Sequence, residues 1–101
     1  MKPILKDKIP EIQKICKQYK VKNLYAYGSV CTNKFNEVSD IDLLVSFKKM
    51  PIEEYADKYF LLHDLFGNLF SRKIDLITEN SITNPYFIKV MEKTKTLLYE
   101  G

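Results

Sequence analysis

Apolar residues along this chain recur with two periods, and the places where one period gives way to the other mark the elements. Ile12, Ile15, Cys16 and Tyr19 follow helical spacing behind Pro10 and Glu11, residues suited to a first turn, so Pro10 to Tyr19 is predicted as an amphipathic helix. Lys20 to Asn23 reads as a polar connection. Leu24 to Tyr27 is a run of β-formers that stops abruptly at Gly28, which predicts a buried strand feeding a turn whose backbone comes close to something. Val30 to Ser39 shows neither strict alternation nor a full helical face, and predicts a short helical turn followed by a loop.

From Asp40 to Phe47 the period is two: Asp40, Asp42, Leu44 and Ser46 share one side, and Ile41, Leu43, Val45 and Phe47 the other. Pro51, Glu53 and Glu54 suit the positive end of a long helix, along which Ile52, Tyr55, Tyr59, Leu62, Phe66 and Leu69 form a stripe that covers the sheet, with Gly67 near its end. Ile74 to Thr78 is a third strand; Ile74 and Leu76 face one way, Lys73, Asp75 and Ile77 the other. Glu79 to Thr83 is a turn-rich link, Asn84 and Pro85 are an N-cap and first helical residue, and Phe87, Ile88 and Met91 supply an apolar face. Thr96 to Tyr99 is a last short strand or a docked tail. The pattern predicts an α/β (α+β) fold, a small mixed sheet with helices packed on one face.

Composition narrows the class. A chain of 101 residues has room for one core, so residues 1–101 are expected to form a single domain, and 46% hydrophobic content with 13% aromatics is enough to fill it. No apolar run is long enough to span a bilayer, and Lys2, Lys6, Asp7 and Lys8 interrupt any signal-peptide core, which points to the cytoplasm with no membrane partner. A net charge of +3, carried by lysines with Arg72 as the only arginine, lacks the clustered basic face of a dedicated nucleic-acid binder. Cys16 and Cys31 have neither CxxC spacing nor a nearby histidine, so they read as reduced thiols and not as a zinc site.

The candidate chemistry lies between Leu24 and Phe47. Asp40 and Asp42 project from one strand end on one side, where two like charges beside an apolar run repel each other. A divalent cation removes that conflict: Mg²⁺ takes carboxylate oxygens together with substrate phosphates and water. The Gly28-Ser29 turn, with backbone N–H groups and a hydroxyl, suits an anion. Blander readings stand beside each residue. An Asp-x-Asp at a strand start is commonly a solvated turn, an acid such as Asp75 at a sheet edge commonly blunts that edge, and Ser29 can simply shape its bend. His63 is mid-helix with no second ligand; Tyr55, Tyr59 and Phe66 read as core, and Arg72 with Lys73 as a solvated pair.

Gly28-Ser29, ten residues, then Asp40-Ile41-Asp42-Leu43-Leu44-Val45 resembles the signature of the DNA polymerase β-like nucleotidyltransferase superfamily, and the small size is similar to its minimal nucleotidyltransferases, which are often paired with HEPN-domain toxins. Lys73-Ile74-Asp75-Leu76-Ile77-Thr78 sits where family members carry a third carboxylate, and the resemblance runs from about Tyr25 to the closing segment Asn84 to Glu100. The resemblance implies a polymerase β-like palm core in which Asp40, Asp42 and Asp75 are catalytic and hold two Mg²⁺ ions, while Gly28 and Ser29 bind the β and γ phosphates of a nucleoside triphosphate. The implied reaction is transfer of NMP, as AMP from ATP, to a hydroxyl: a tyrosine of a HEPN-type partner protein, silenced by the modification. One departure is visible, since many relatives carry Arg-Gly after Gly-Ser and this chain has Thr32 and Asn33, leaving Lys34 as a substitute cation. The rival is an antitoxin or regulatory subunit that acts by binding its partner, as a homo- or hetero-oligomer, with weak catalysis or none. Transfer to a small molecule such as an aminoglycoside is disfavoured because the chain has no second lobe to hold it.

Overall fold

The computed structural model describes residues 2–101. Ten residues, Ile9–Gln18, form helix α2, with Pro10 in its first turn and Ile12 and Cys16 fully buried. It is preceded by a one-turn helix, α1 (Pro3–Lys6), that the pattern did not predict: a single turn leaves no periodicity to read, yet its Leu5 is buried in the core.

The first strand, β1, spans Val21–Tyr27 and so includes residues expected as a polar connection. A register irregularity between Val21 and Asn23 breaks the alternation that would have revealed them, and Lys20, with φ of 57°, makes the turn into the strand. Gly28–Cys31 is a 3₁₀ turn, β2 is Ile41–Phe47, α3 is Ile52–Phe70, and β3 is Ile74–Thr78. A second 3₁₀ turn, Glu79–Ser81, leads to α4 (Pro85–Thr94) and then β4 (Thr96–Glu100), which resolves the closing segment as a strand. Asn84 caps α4 by accepting a 2.9 Å hydrogen bond from the N–H of Tyr86.

The sheet has the order β3-β2-β1-β4, with β1 antiparallel to both β2 and β4 and β2 parallel to β3. One face carries Leu24, Ala26, Ile41, Leu43, Val45, Ile74, Leu76 and Leu98, and against it pack α1, α2 and α3 through Leu5, Ile12, Cys16, Leu62, Phe66 and Phe70. Ile52, expected in the stripe of α3, is 72% exposed; the stripe meets the core further along, from Tyr59 onward, and takes in Phe70.

The mixed sheet with helices on one face describes α1, α2 and α3. Helix α4 departs from it. It lies against the opposite face, where Met91 packs with Tyr27 and Leu44. Of its expected apolar face, Phe87, Ile88 and Met91, only Met91 is buried; Phe87 and Ile88 stay exposed, as do Tyr86 and Val90. The face bearing the candidate carboxylates is therefore partly roofed. Among the described residues both cysteines are free thiols, Cys16 pushed up to about 12 by its burial, and no helix is long and apolar enough to cross a membrane.

Candidate active site

Strand register decides which candidate residues meet. Asp42 of β2 pairs directly with Asp75 of β3 and, on its other side, with Tyr27 of β1. Directly paired residues share a face and neighbouring strands lie about 4.8 Å apart, so Tyr27, Asp42 and Asp75 form a row across the sheet, on the face opposite the main core. Asp40 stands just before β2, near enough for its charge to act on Asp42; its side chain is 44% exposed and its Oδ2 lies 3.9 Å from Lys73 Nζ. Asp75 is exposed and Asp42 half-buried.

This crowding has an electrostatic signature. Burial, then the charge of Asp75, then that of Asp40 push Asp42 up to about 6, well above the usual carboxylate range. Burial and the charges of Asp42 and Asp75 likewise raise the Tyr27 phenol, which stays protonated at neutral pH.

The glycine turn closes over the same row. Gly28 has φ of +74°, and a Cβ there would stand 2.8 Å from Oδ2 of Asp42, so only glycine lets the strand end so close to the carboxylate. The Gly28 N–H does not face open space as the sequence suggested: it donates to Thr94 Oγ1 of α4 at 2.9 Å. Ser29 is the second residue of the 3₁₀ turn that Gly28 opens, and its carbonyl accepts the Thr32 N–H at 2.9 Å.

Arg72 is not a solvated residue. Its Nη1 donates to the carbonyls of Asn36 (2.8 Å) and Ser39 (2.9 Å), and its guanidinium lies 4.4 Å from the centre of the Phe35 ring. Asn36 to Ser39 is itself a closed turn, since the Ser39 N–H donates to the Asn36 carbonyl, and Ser39 immediately precedes Asp40. Arg72 thereby anchors the loop that delivers Asp40, and the Ile41 N–H bonded to the Lys73 carbonyl holds the other side of that aspartate. Phe35, a lone aromatic in a polar loop, was the available sequence signal for this clamp; Thr94, 66 residues from Gly28, left none. Lys34 is exposed, and His63 places Nε2 3.1 Å from the Ile74 carbonyl, remote in role from the carboxylate row.

Among the described residues no three acidic, histidine or cysteine side chains form a ready-made metal cage. What the sheet presents is a small set of hard carboxylate oxygens beside the Gly28-Ser29 turn. Mg²⁺ is usually held by one or two carboxylates with phosphates and water completing its shell, so this donor set fits that ion better than one needing a closed protein cage.

With the sheet order and this row in view, the comparisons with known proteins have a structural counterpart. Residues 10–101 match the family described as polymerase beta, nucleotidyltransferase, and the chain belongs to that family. It is 40% identical over 90 residues to a presumed protein adenylyltransferase of Methanocaldococcus jannaschii, a match covering 88% of this chain and 89% of the relative. Two solved structures share its fold: a toxin-antitoxin with AMP-PNP (TM-score 0.69, 17% identity, 92% of this chain and 73% of that one), and tri-AMPylated Shewanella oneidensis HEPN toxin in complex with MNT antitoxin (TM-score 0.65, 15% identity, 96% and 73%). As a member of the family, the chain is a nucleotidyltransferase.

Proposed function

We propose that this nucleotidyltransferase moves AMP from ATP to the hydroxyl of a tyrosine on a HEPN-type partner protein, in a reaction that requires Mg²⁺, and that the modification silences the partner. The observation that carries the reading is the Asp42–Asp75 pairing next to the Gly28-Ser29 turn. The adenylyltransferase relative and the neighbouring complexes with AMP-PNP and a HEPN toxin support the nucleotide and the partner.

Asp40, Asp42 and Asp75 would hold Mg²⁺. When bound, the ion neutralises the three carboxylates and stabilises the charge that builds on the α-phosphate and the departing pyrophosphate. Ser29, through its hydroxyl and backbone, grips the β and γ phosphates; Gly28 contributes close approach more than a donor, its N–H being engaged by Thr94. Asp75, on the strand nearer the sheet edge, faces the incoming hydroxyl and takes its proton. The acceptor oxygen forms a bond to the α-phosphorus as the bond to pyrophosphate breaks, and pyrophosphate leaves with the electron pair.

Incubating the chain with its partner, α-labelled ATP and Mg²⁺ tests the reading. Label on the partner with wild type and none with Asp42→Asn is the expected result; equal labelling, or none in either, defeats it. The binding-only reading has one observation in its favour, the exposed apolar stripe on α4, where Tyr86 is 81% and Val90 59% exposed. Partner silencing that persists in a variant with Asp40, Asp42 and Asp75 all changed to Asn would favour it.

A further inference from the structure

Two helix faces are used neither by the core nor by the carboxylate row, and they lie on opposite sides of the sheet. On the outward side of α3, Glu53, Asp57, Phe60 and Asp64 recur at helical spacing along a single line, with Leu61 beside it, and all five are exposed. Phe60 is 65% exposed, yet its ring is set edge-on against Tyr59, with ring centres 5.3 Å apart, so the exposed ring is held in place by a packed pair. On the outward side of α4, Tyr86, Lys89, Val90 and Lys93 form a second line, also exposed. Among the described residues Glu53, Asp57, Lys89 and Lys93 take part in no ion pair, and Asp64 meets only the His63 ring, at 3.8 Å. One face is thus acidic around an apolar centre, and the other basic around an apolar centre.

We propose that these faces bind each other in different copies of the chain. Helix α4 of one copy lies antiparallel along α3 of the next, so that Tyr86 covers Phe60 and Leu61, Lys89 meets Asp57 and Lys93 meets Glu53. Spacing carries the register. Lys89 and Lys93 are four residues apart, as are Glu53 and Asp57, and Tyr86 precedes Lys89 by three residues just as Phe60 follows Asp57 by three. One antiparallel alignment therefore joins both charge pairs and the apolar pair, and it also opposes the two helix dipoles. A parallel alignment joining Lys89 to Glu53 and Lys93 to Asp57 runs Tyr86 past the start of α3 and leaves Phe60 uncovered. Helix α2 also carries exposed lysines, but every fully exposed residue from Glu11 to Gln18 is polar, so it offers Phe60 no apolar anchor. Because α3 and α4 sit on opposite sides of the sheet, the contact is heterologous and passes from copy to copy instead of closing on a two-fold dimer. A contact between two short helix faces falls in the small, weak class of interfaces. The proposal rests on surface residues alone and is independent of the transferase reading.

Sedimentation equilibrium of the full chain tests it. Wild type should associate beyond a dimer as its concentration approaches about 1 mM, and less so in high salt. Phe60→Ser and Tyr86→Ser, both at exposed positions, should keep the wild-type melting temperature and each be monomeric alone. Mixed in equal amounts they should form a one-to-one pair and stop there, since one copy retains its α4 face and the other its α3 face. Lys93→Glu should weaken association at least about tenfold, and Lys93→Glu combined with Glu53→Lys should restore it. A closed two-fold dimer, failure of the mixed variants to pair, or wild type that stays monomeric at about 1 mM, which would leave the α4 stripe to a different protein, would overturn the proposal.

Discussion

The turn at Gly28 leaves no room for a side chain beside Asp42: a Cβ on Gly28 would stand 2.8 Å from the Asp42 carboxylate oxygen, and the glycine backbone, at φ of +74°, is one that side-chain-bearing residues avoid. The glycine turn and a carboxylate held well above its ordinary pKa thus occupy one interlocked unit.

Gly28→Ala tests that unit. The left-handed backbone alone costs roughly 1–2 kcal/mol for a non-glycine residue, and the approach to Asp42 adds to it. We expect a lowered urea midpoint and AMP transfer reduced more than about tenfold, because the carboxylate must shift to admit the methyl. A variant as stable and active as wild type would contradict the geometry.

The pH dependence of stability follows from Asp42. Its native pKa, about 6, lies above the ordinary value of the unfolded chain. The native state therefore binds the proton more tightly, so this group's contribution is fully present below about pH 4 and is lost as pH rises through about 6. Asp42→Asn removes the penalty. In metal-free protein it should be more stable than wild type by about 1–2 kcal/mol above pH 7, with the gap closing towards pH 4, as read by thermal melts across that range. The same variant should lose catalysis, so stability and activity move in opposite directions.

Arg72→Ala removes a cation that bridges two loop carbonyls and covers Phe35. Charge-assisted bonds in this half-buried setting should be worth about 1–2 kcal/mol together, and freeing the loop should cut transfer through misplacement of Asp40. Arg72→Lys should restore little, since an ammonium lacks the planar fork that reaches two carbonyls while stacking on a ring. Lys73→Ala is the control: its pair with Asp40, at 3.9 Å with the lysine side chain 81% exposed, should change stability little. Urea unfolding and label transfer on the three variants settle the comparison, and equal behaviour of Arg72→Ala and Lys73→Ala would refute the clamp.

Thr94→Val keeps the shape of the side chain and deletes the acceptor of the Gly28 N–H. Leaving that part-buried donor unpaired should cost about 1–3 kcal/mol and weaken ATP binding, whereas Thr94→Ser should retain both. ATP affinity measured by calorimetry on the two variants distinguishes a hydrogen bond that shapes the turn from simple packing.

Much of this architecture was legible beforehand because local period and local chemistry agree. The β2 alternation from Ile41 to Phe47, the Asn84-Pro85 start of α4 and the opposite facing of Asp75 and its neighbours follow from spacing alone. Long-range choices were not legible in that way. Phe87, Ile88 and Met91 announce an apolar helix face but not which side of the sheet receives it, and α4 went to the carboxylate side. The residues Val21 to Asn23 were hidden by a register irregularity. Arg72 looked solvated because its partners are backbone carbonyls 33 and 36 positions away, which no side-chain pattern records. The pairing of Asp42 with Asp75 depends on β2 and β3 being parallel neighbours, an arrangement implied by family resemblance and not by the residues themselves.

The most direct test of the account is a crystal structure of the protein with Mg²⁺ and a non-hydrolysable ATP analogue. The account predicts metal density ligated by Asp42 and completed by Asp40 or Asp75, with the β and γ phosphates on the Ser29 turn. Nucleotide bound on another face, or metal-free carboxylates beneath a bound triphosphate, would contradict it.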